Sequence, residues 1–168
     1  ERDFWIQLLK SSAAQLEQSW RINLAAMDKT SWDWVNNLRD RQMAENFSWL
    51  ARRAFPTRKI IVWAATSHII RHPQLLADRE AGWTPMGDWL HKTMEADVYV
   101  LGFTAHHGRW GTTVRSATTE VAPADPKSLE GLLSSAGFSY AFLHFLNPPA
   151  AGAWLREPLS CRPLGYKP

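Results

Sequence analysis

Short apolar runs rich in β-branched and aromatic residues, set between stretches of helical periodicity, restrict this chain more than any other feature. Lys59 to Trp63 (K-I-I-V-W) follows a turn, and Val98 to Phe103 (V-Y-V-L-G-F) follows a helical segment. An uninterrupted apolar run of that length is the pattern of a strand buried on both faces of a parallel sheet. Trp110 to Arg115 reads as a third strand and Phe138 to Phe145 as a fourth. Helix, strand, helices, strand, helix, strand is an α/β order. The expected fold class is therefore α/β, a mostly parallel sheet covered by helices.

The helical stretches have their own signals. From Asp3 to about Met27, residues Phe4, Leu8, Leu16, Trp20, Leu24 and Met27 recur at spacings of three, four or eight, which makes one apolar stripe. Ser31 is a good N-cap for a second helix. Val35, Leu38, Met43, Asn46, Trp49 and Leu50 share a side of it, and it ends before Pro56. Ile69 to Ala77 and Pro85 to Met94 read as shorter helices. Asp125-Pro126 supplies a cap and a first-turn proline for a helix through Ser135, which Gly137 ends. The tail from Asn147 to Pro168 reads as an irregular, ordered loop.

Composition limits the function classes. The chain has 168 residues, 45% hydrophobic and 21% charged, which is the balance of a folded globular chain. Cys161 is its one cysteine, so no internal disulfide can substitute for a core. The net charge is +3, with arginines dispersed and no basic run longer than Arg52-Arg53, so no nucleic-acid partner is expected. The apolar run from Gly131 to Leu155 is broken by Gly137, Asn147, Pro148, Pro149 and Gly152, so no membrane partner is expected either. Ten tryptophans without a fixed period point to an aromatic core or pocket. Glu1 stands inside a helical pattern with no leader before it, and the chain reads as one segment, 1–168, of a longer protein whose compartment is unreadable.

The strand exit Trp63-Ala64-Ala65-Thr66-Ser67-His68 is the most informative place for chemistry, because ligands of open α/β sheets sit at the carboxyl ends of strands. An imidazole there can bind, orient or transfer a proton near neutral pH; alternatively, His68 caps the next helix or packs in the core. Arg39 and Asn46 fall on one face of the second helix, and as polar groups among apolar neighbours they either meet a ligand or tie the helix to the sheet. His106 and His107 follow the second strand and could form another wall of the cleft. His68 and His72 have the spacing of two metal ligands, with Asp78 and Glu80 near in sequence, yet Pro73 biases His72 out of helical geometry, and no metal is expected. No covalent-nucleophile elbow, dinucleotide fingerprint or phosphate loop occurs, so no cofactor is expected.

Six segments in register resemble the erythromycin esterase family. They are R-D-R-Q-M-A-E-N-F-S-W-L (Arg39 to Leu50) with K-I-I-V-W-A-A-T-S-H-I (Lys59 to Ile69), M-G-D-W-L (Met86 to Leu90), V-L-G-F (Val100 to Phe103), S-L-E-G-L-L (Ser128 to Leu133) and R-P-L-G-Y (Arg162 to Tyr166). The resemblance implies a hydrolase of its own α/β type that attacks a carboxylic ester with an activated water. The family's usual strand-exit motif is W-A-H-N-x-H; His68 matches its second histidine, while Ala65 and Thr66 stand where the family has histidine and asparagine. The family's general base lies in a G-E-x-x-H-G-like segment that this chain lacks. The segment is thus expected to be the C-terminal part of an erythromycin-esterase-like domain, an incomplete domain whose base comes from outside it.

His68 is the expected catalytic imidazole, and Arg39, Asn46, Thr66 and His106 are the expected substrate contacts. The expected small-molecule partner is an ester or lactone. The expected protein partner is a second copy, as a homo-oligomer, or the missing N-terminal part of the same domain, because unpaired apolar edges associate. The rival expectation is a catalytically degenerate binding domain that keeps a Trp-rich cleft.

Overall fold

The computed structural model describes residues 1–24, 29–75, 82–112, 115–145 and 150–162. The chain divides into two compact units, Glu1–Leu101 and Gly102–Pro168. The first unit holds α1 (Arg2–Leu24), α2 (Lys29–Trp49), α3 (Thr66–Ile69) and α4 (Met86–Met94); a π-helical turn, Leu50–Ala54, continues α2. The second holds β1 (Gly108–Thr112), β2 (Arg115–Val121) and α5 (Leu129–Ser135).

The expected parallel sheet is absent from the described residues, and the α/β class is corrected by a helix-rich chain with one two-stranded antiparallel sheet. β1 pairs β2 in the register Gly108↔Val121 and Trp110↔Thr119. Residues 59–65, 98–105 and 141–145, read above as strands or strand exits, run without a ladder. Their side chains are largely exposed: Ile61 is 92% accessible, Trp63 87%, Phe103 57% and Phe142 67%. Apolar, β-branched composition specifies an extended backbone, but a ladder also needs a neighbouring strand, and among the described residues none is supplied.

A second correction concerns α1. Phe4, Leu8, Leu16 and Trp20, the stripe expected to face the core, are all more than 40% accessible. The partly covered positions are Gln7, Ser11, Ala14, Glu17 and Gln18. Asn46 of α2 donates from Nδ2 to Ser11 Oγ at 2.8 Å, so a polar contact joins the two helices. The side chain of Leu24, residue Met27, Asp78, Glu80 and most of R-P-L-G-Y lie outside the described residues.

The core of the first unit forms where α4 meets α2. Met86, Leu90 and Met94 repeat every fourth residue along α4 and are buried with Ala44; Met43, Phe47, Ala51, Ala64, Ile69, Trp89 and Val98 pack around them. Burial of each such side chain contributes about 1.5–3 kcal/mol. Polar clamps fix the segments between helices. Asn37 donates to the Gly82 carbonyl and accepts from Thr84 N–H at 2.6 Å, Arg52 reaches the Thr93 carbonyl at 2.6 Å, and Arg71 reaches that of Val98 at 2.7 Å.

In the second unit Ser128, not Asp125, caps α5: its Oγ accepts from Gly131 N–H at 3.1 Å. Asp125 instead accepts from Lys127 N–H at 2.7 Å and closes the turn before the helix. Gly137 ends α5 as expected, at φ +83°, with its N–H on the Ser134 carbonyl and that of Phe138 on Leu133. No helix among the described residues is long and apolar enough to cross a membrane.

Gly87 explains the glycine of M-G-D-W-L, because a Cβ there would sit 2.2 Å from the Ile69 carbonyl oxygen. Gly87→Ala is expected to destabilise the first unit by about 2–3 kcal/mol. Gly102→Ala, where nothing lies within 4 Å of the added methyl, should change stability by less than about 0.5 kcal/mol. Chemical denaturation of both variants checks this, and equal midpoints would contradict the close approach of α4 to α3.

Candidate functional site

α2 carries Asp40 on the stripe that also bears Ala44 and Phe47, four and seven residues later, so its carboxylate is turned into the protein and is 1% accessible. A buried carboxylate must find donors. The nearest is His68 on α3, whose Nδ1 lies 2.9 Å from Oδ1 and 3.0 Å from Oδ2. A second is the backbone N–H of Met86, 3.1 Å from Oδ2. Pro85, at the N-cap of α4, offers no side-chain cap, so Asp40 takes over that duty from another helix.

Arg39, the neighbour of Asp40, lies over the same group. Its Nη2 is 3.3 Å from His68 Nε2 and its Nε is 3.4 Å from Asp40 Oδ1. The imidazole is thus held at both nitrogens, by a carboxylate beneath and a guanidinium beside it. Arg39 and His68 keep 42% and 21% of their side-chain surface accessible, so the carboxylate is sealed and the outer two groups remain reachable. Local backbone sets this up: Ala65 is extended at φ −62°, ψ 149°, and its carbonyl accepts the His68 N–H at 2.9 Å.

The other expected site residues are placed differently. Thr66 opens α3 and is half-buried, two residues before His68. Asn46 has its amide engaged on Ser11 and Gln42, at 2.8 and 3.0 Å. His106 belongs to the second unit, where its carbonyl accepts from Ala124 N–H and Arg162 Nη1 and its ring meets the edge of His107 at 5.2 Å. His72 meets the ring of His91 at 4.8 Å, and no cluster of three metal-ligating side chains occurs among the described residues. Asp40 was missed in sequence. Its signal was an acidic residue within an apolar stripe, next to an arginine already singled out.

The family profile described as Erythromycin esterase matches residues 1–168. A protein of Bacillus subtilis (strain 168), Putative hydrolase YbfO, is 30% identical over 135 residues. That match covers 77% of this chain and 30% of the relative, so the chain spans less than a third of the relative's length. No solved structure matches the chain.

Two further buried carboxyls, one in each unit, are held by hydrogen bonds of their own. Asp88 of α4 accepts from Lys92 Nζ at 2.7 Å and from His72 N–H at 3.1 Å. Burial pulls its pKa upward, but the Lys92 hydrogen bond, the His72 N–H and the charges of both residues outweigh it and hold the carboxyl below its ordinary 3.8. In the second unit, burial likewise raises Glu130, and the Thr104 hydroxyl, the N–H groups of Arg162 and of Glu130 itself, and Ser128 bring it below its ordinary 4.5. Both folded-state values lie under the unfolded ones. Each group therefore adds stability that is complete above its unfolded value and lost as pH falls through the folded one. Asp88→Asn and Glu130→Gln should each flatten the loss of stability between about pH 5 and pH 2. Denaturant titrations across that range check it, and slopes unchanged from the parent protein would contradict the assignment.

Proposed function

Because the chain belongs to the erythromycin esterase family, whose members and named relative point to hydrolysis, we propose that it takes part in water-mediated cleavage of a carboxylic ester or lactone, with His68 as an active-site imidazole. The observation that carries this reading is the sealed Asp40 carboxylate under a reachable imidazole and guanidinium. Nε2 of His68 orients the attacking water or the substrate alcohol. Arg39, swung from Nε2 to the carbonyl, stabilises the oxyanion with donors that cannot lose their protons. Thr66 adjoins this group and contributes a further contact. The general base comes from polypeptide beyond residues 1–168.

The surface of the chain supports the need for such a partner. Among the described residues of the first unit, Ile61 is 92% accessible, Val62 42% and Leu101 46%. A second copy or an upstream part of the same domain would cover such apolar side chains.

One observation favours a second reading, binding without turnover: Ala65, where an imidazole would otherwise stand, caps α3 with backbone alone. Assay of the full-length protein on a panel of esters and lactones separates the two. Hydrolysis that falls at least about 100-fold in His68→Ala is expected. Activity that survives this change removes His68 from the mechanism, and saturable quenching of tryptophan fluorescence by those compounds without turnover supports the binding reading.

A further inference from the structure

We infer that Asp40 is the positioning residue of this site: it locks His68 as the tautomer with hydrogen on Nδ1 and a lone pair on Nε2, and it registers that ring against α4. The inference rests on the reading of His68 as an active-site imidazole, and it adds which nitrogen works and what holds it there.

Two independent contacts select the same tautomer. An ionised carboxylate has only lone pairs to offer, so Nδ1, at 2.9 and 3.0 Å from its two oxygens, must carry the hydrogen. A guanidinium has only hydrogens to offer, so Nε2, at 3.3 Å from Arg39 Nη2, must accept. Each contact favours this pattern by itself, and together they admit one orientation and one protonation pattern. The remaining lone pairs of Asp40 receive Met86 N–H and, at longer range, Arg39 Nε–H, so its oxygens have donors in a place water does not reach.

Asp40 touches no substrate, since it is 1% accessible. Its effect passes through the ring. With hydrogen fixed on Nδ1 by a carboxylate 2.9 Å away, Nε2 keeps a lone pair facing outward, and that lone pair accepts the hydrogen bond by which the ring orients the water or the substrate alcohol. The Met86 contact adds position. The same carboxylate that orients the ring also caps α4, so ring and helix cannot shift separately.

Long-range proton–nitrogen correlation spectra of protein labelled with ¹⁵N-histidine read the tautomer of each of the six histidines directly. The expected result for His68 is a neutral ring, protonated at Nδ1 and bare at Nε2. In Asp40→Asn the amide can donate to Nδ1 and only Arg39 is left to select a bare Nε2, so the Nε2–H form should become populated beside the Nδ1–H form. In the full-length protein, kcat should then fall by at least about 100-fold while KM changes less than about threefold. Asp40→Glu should keep the Nδ1–H form. A native ring protonated at Nε2 overturns the inference, and so does an Asn variant that keeps both tautomer and kcat. If the Asn variant does not fold, the spectrum of the unmodified protein decides alone. Full-length protein that hydrolyses nothing defeats the hydrolase reading and leaves the tautomer measurement standing. Loss of activity in His68→Ala with an unaltered ring in Asp40→Asn defeats Asp40 alone.

Discussion

A carboxylate taken out of water has to be met by donors on nearly every side, and Asp40 meets them on two other helices at once. α2 supplies the group, α3 supplies the His68 Nδ1–H, and α4 supplies the Met86 N–H. The apolar core of the first unit lies alongside: Met86, whose amide Asp40 holds, is also the first buried side chain of the α4 stripe against Ala44. Gly87 follows, where only hydrogen fits against the Ile69 carbonyl, and then Asp88, which holds His72 N–H. The three consecutive residues Met-Gly-Asp thus have three different physical duties. Each depends on α4 starting where Asp40 caps it.

The second unit repeats the device with other residues. Glu130 is 3% accessible, and its Oε1 accepts the Thr104 hydroxyl and the Arg162 N–H, which tie two distant stretches to the first turn of α5. Arg162 extends the tie through Nη1 to the carbonyls of His106 and Ala122. Gly131 allows the turn at Asp125 to approach within 2.2 Å of where a Cβ would be. The segment S-L-E-G is therefore cap, spacer, buried anchor and clearance. Motifs that identify the family turn out here to be places where a buried charge or a close backbone approach admits one residue type.

What could be read in sequence was local. The start of α4 at Met86, next to the expected Pro85, and the stop at Gly137 follow from caps and from the φ a glycine tolerates. What could not be read was pairing over distance. The runs at 59–63 and 98–103 have strand chemistry, but a strand is defined by its neighbour, and composition does not name one. α1 misled for a related reason: its apolar stripe has the right period, while the face that meets α2 is the polar one bearing Ser11. His68 was visible as an imidazole after an apolar run. Its partner was not, because Asp40 lies 28 residues upstream and a lone acidic residue in a helical stripe does not announce what it will hold.

The claim that one buried carboxylate organises ring and helices is tested most directly by a double-mutant cycle on unfolding free energy. The variants are Asp40→Asn, His68→Phe and the two combined. A charged, sealed hydrogen bond predicts a coupling of about 1.5–3 kcal/mol between the two positions. Additive effects, with a coupling inside about 0.5 kcal/mol of zero, would contradict it.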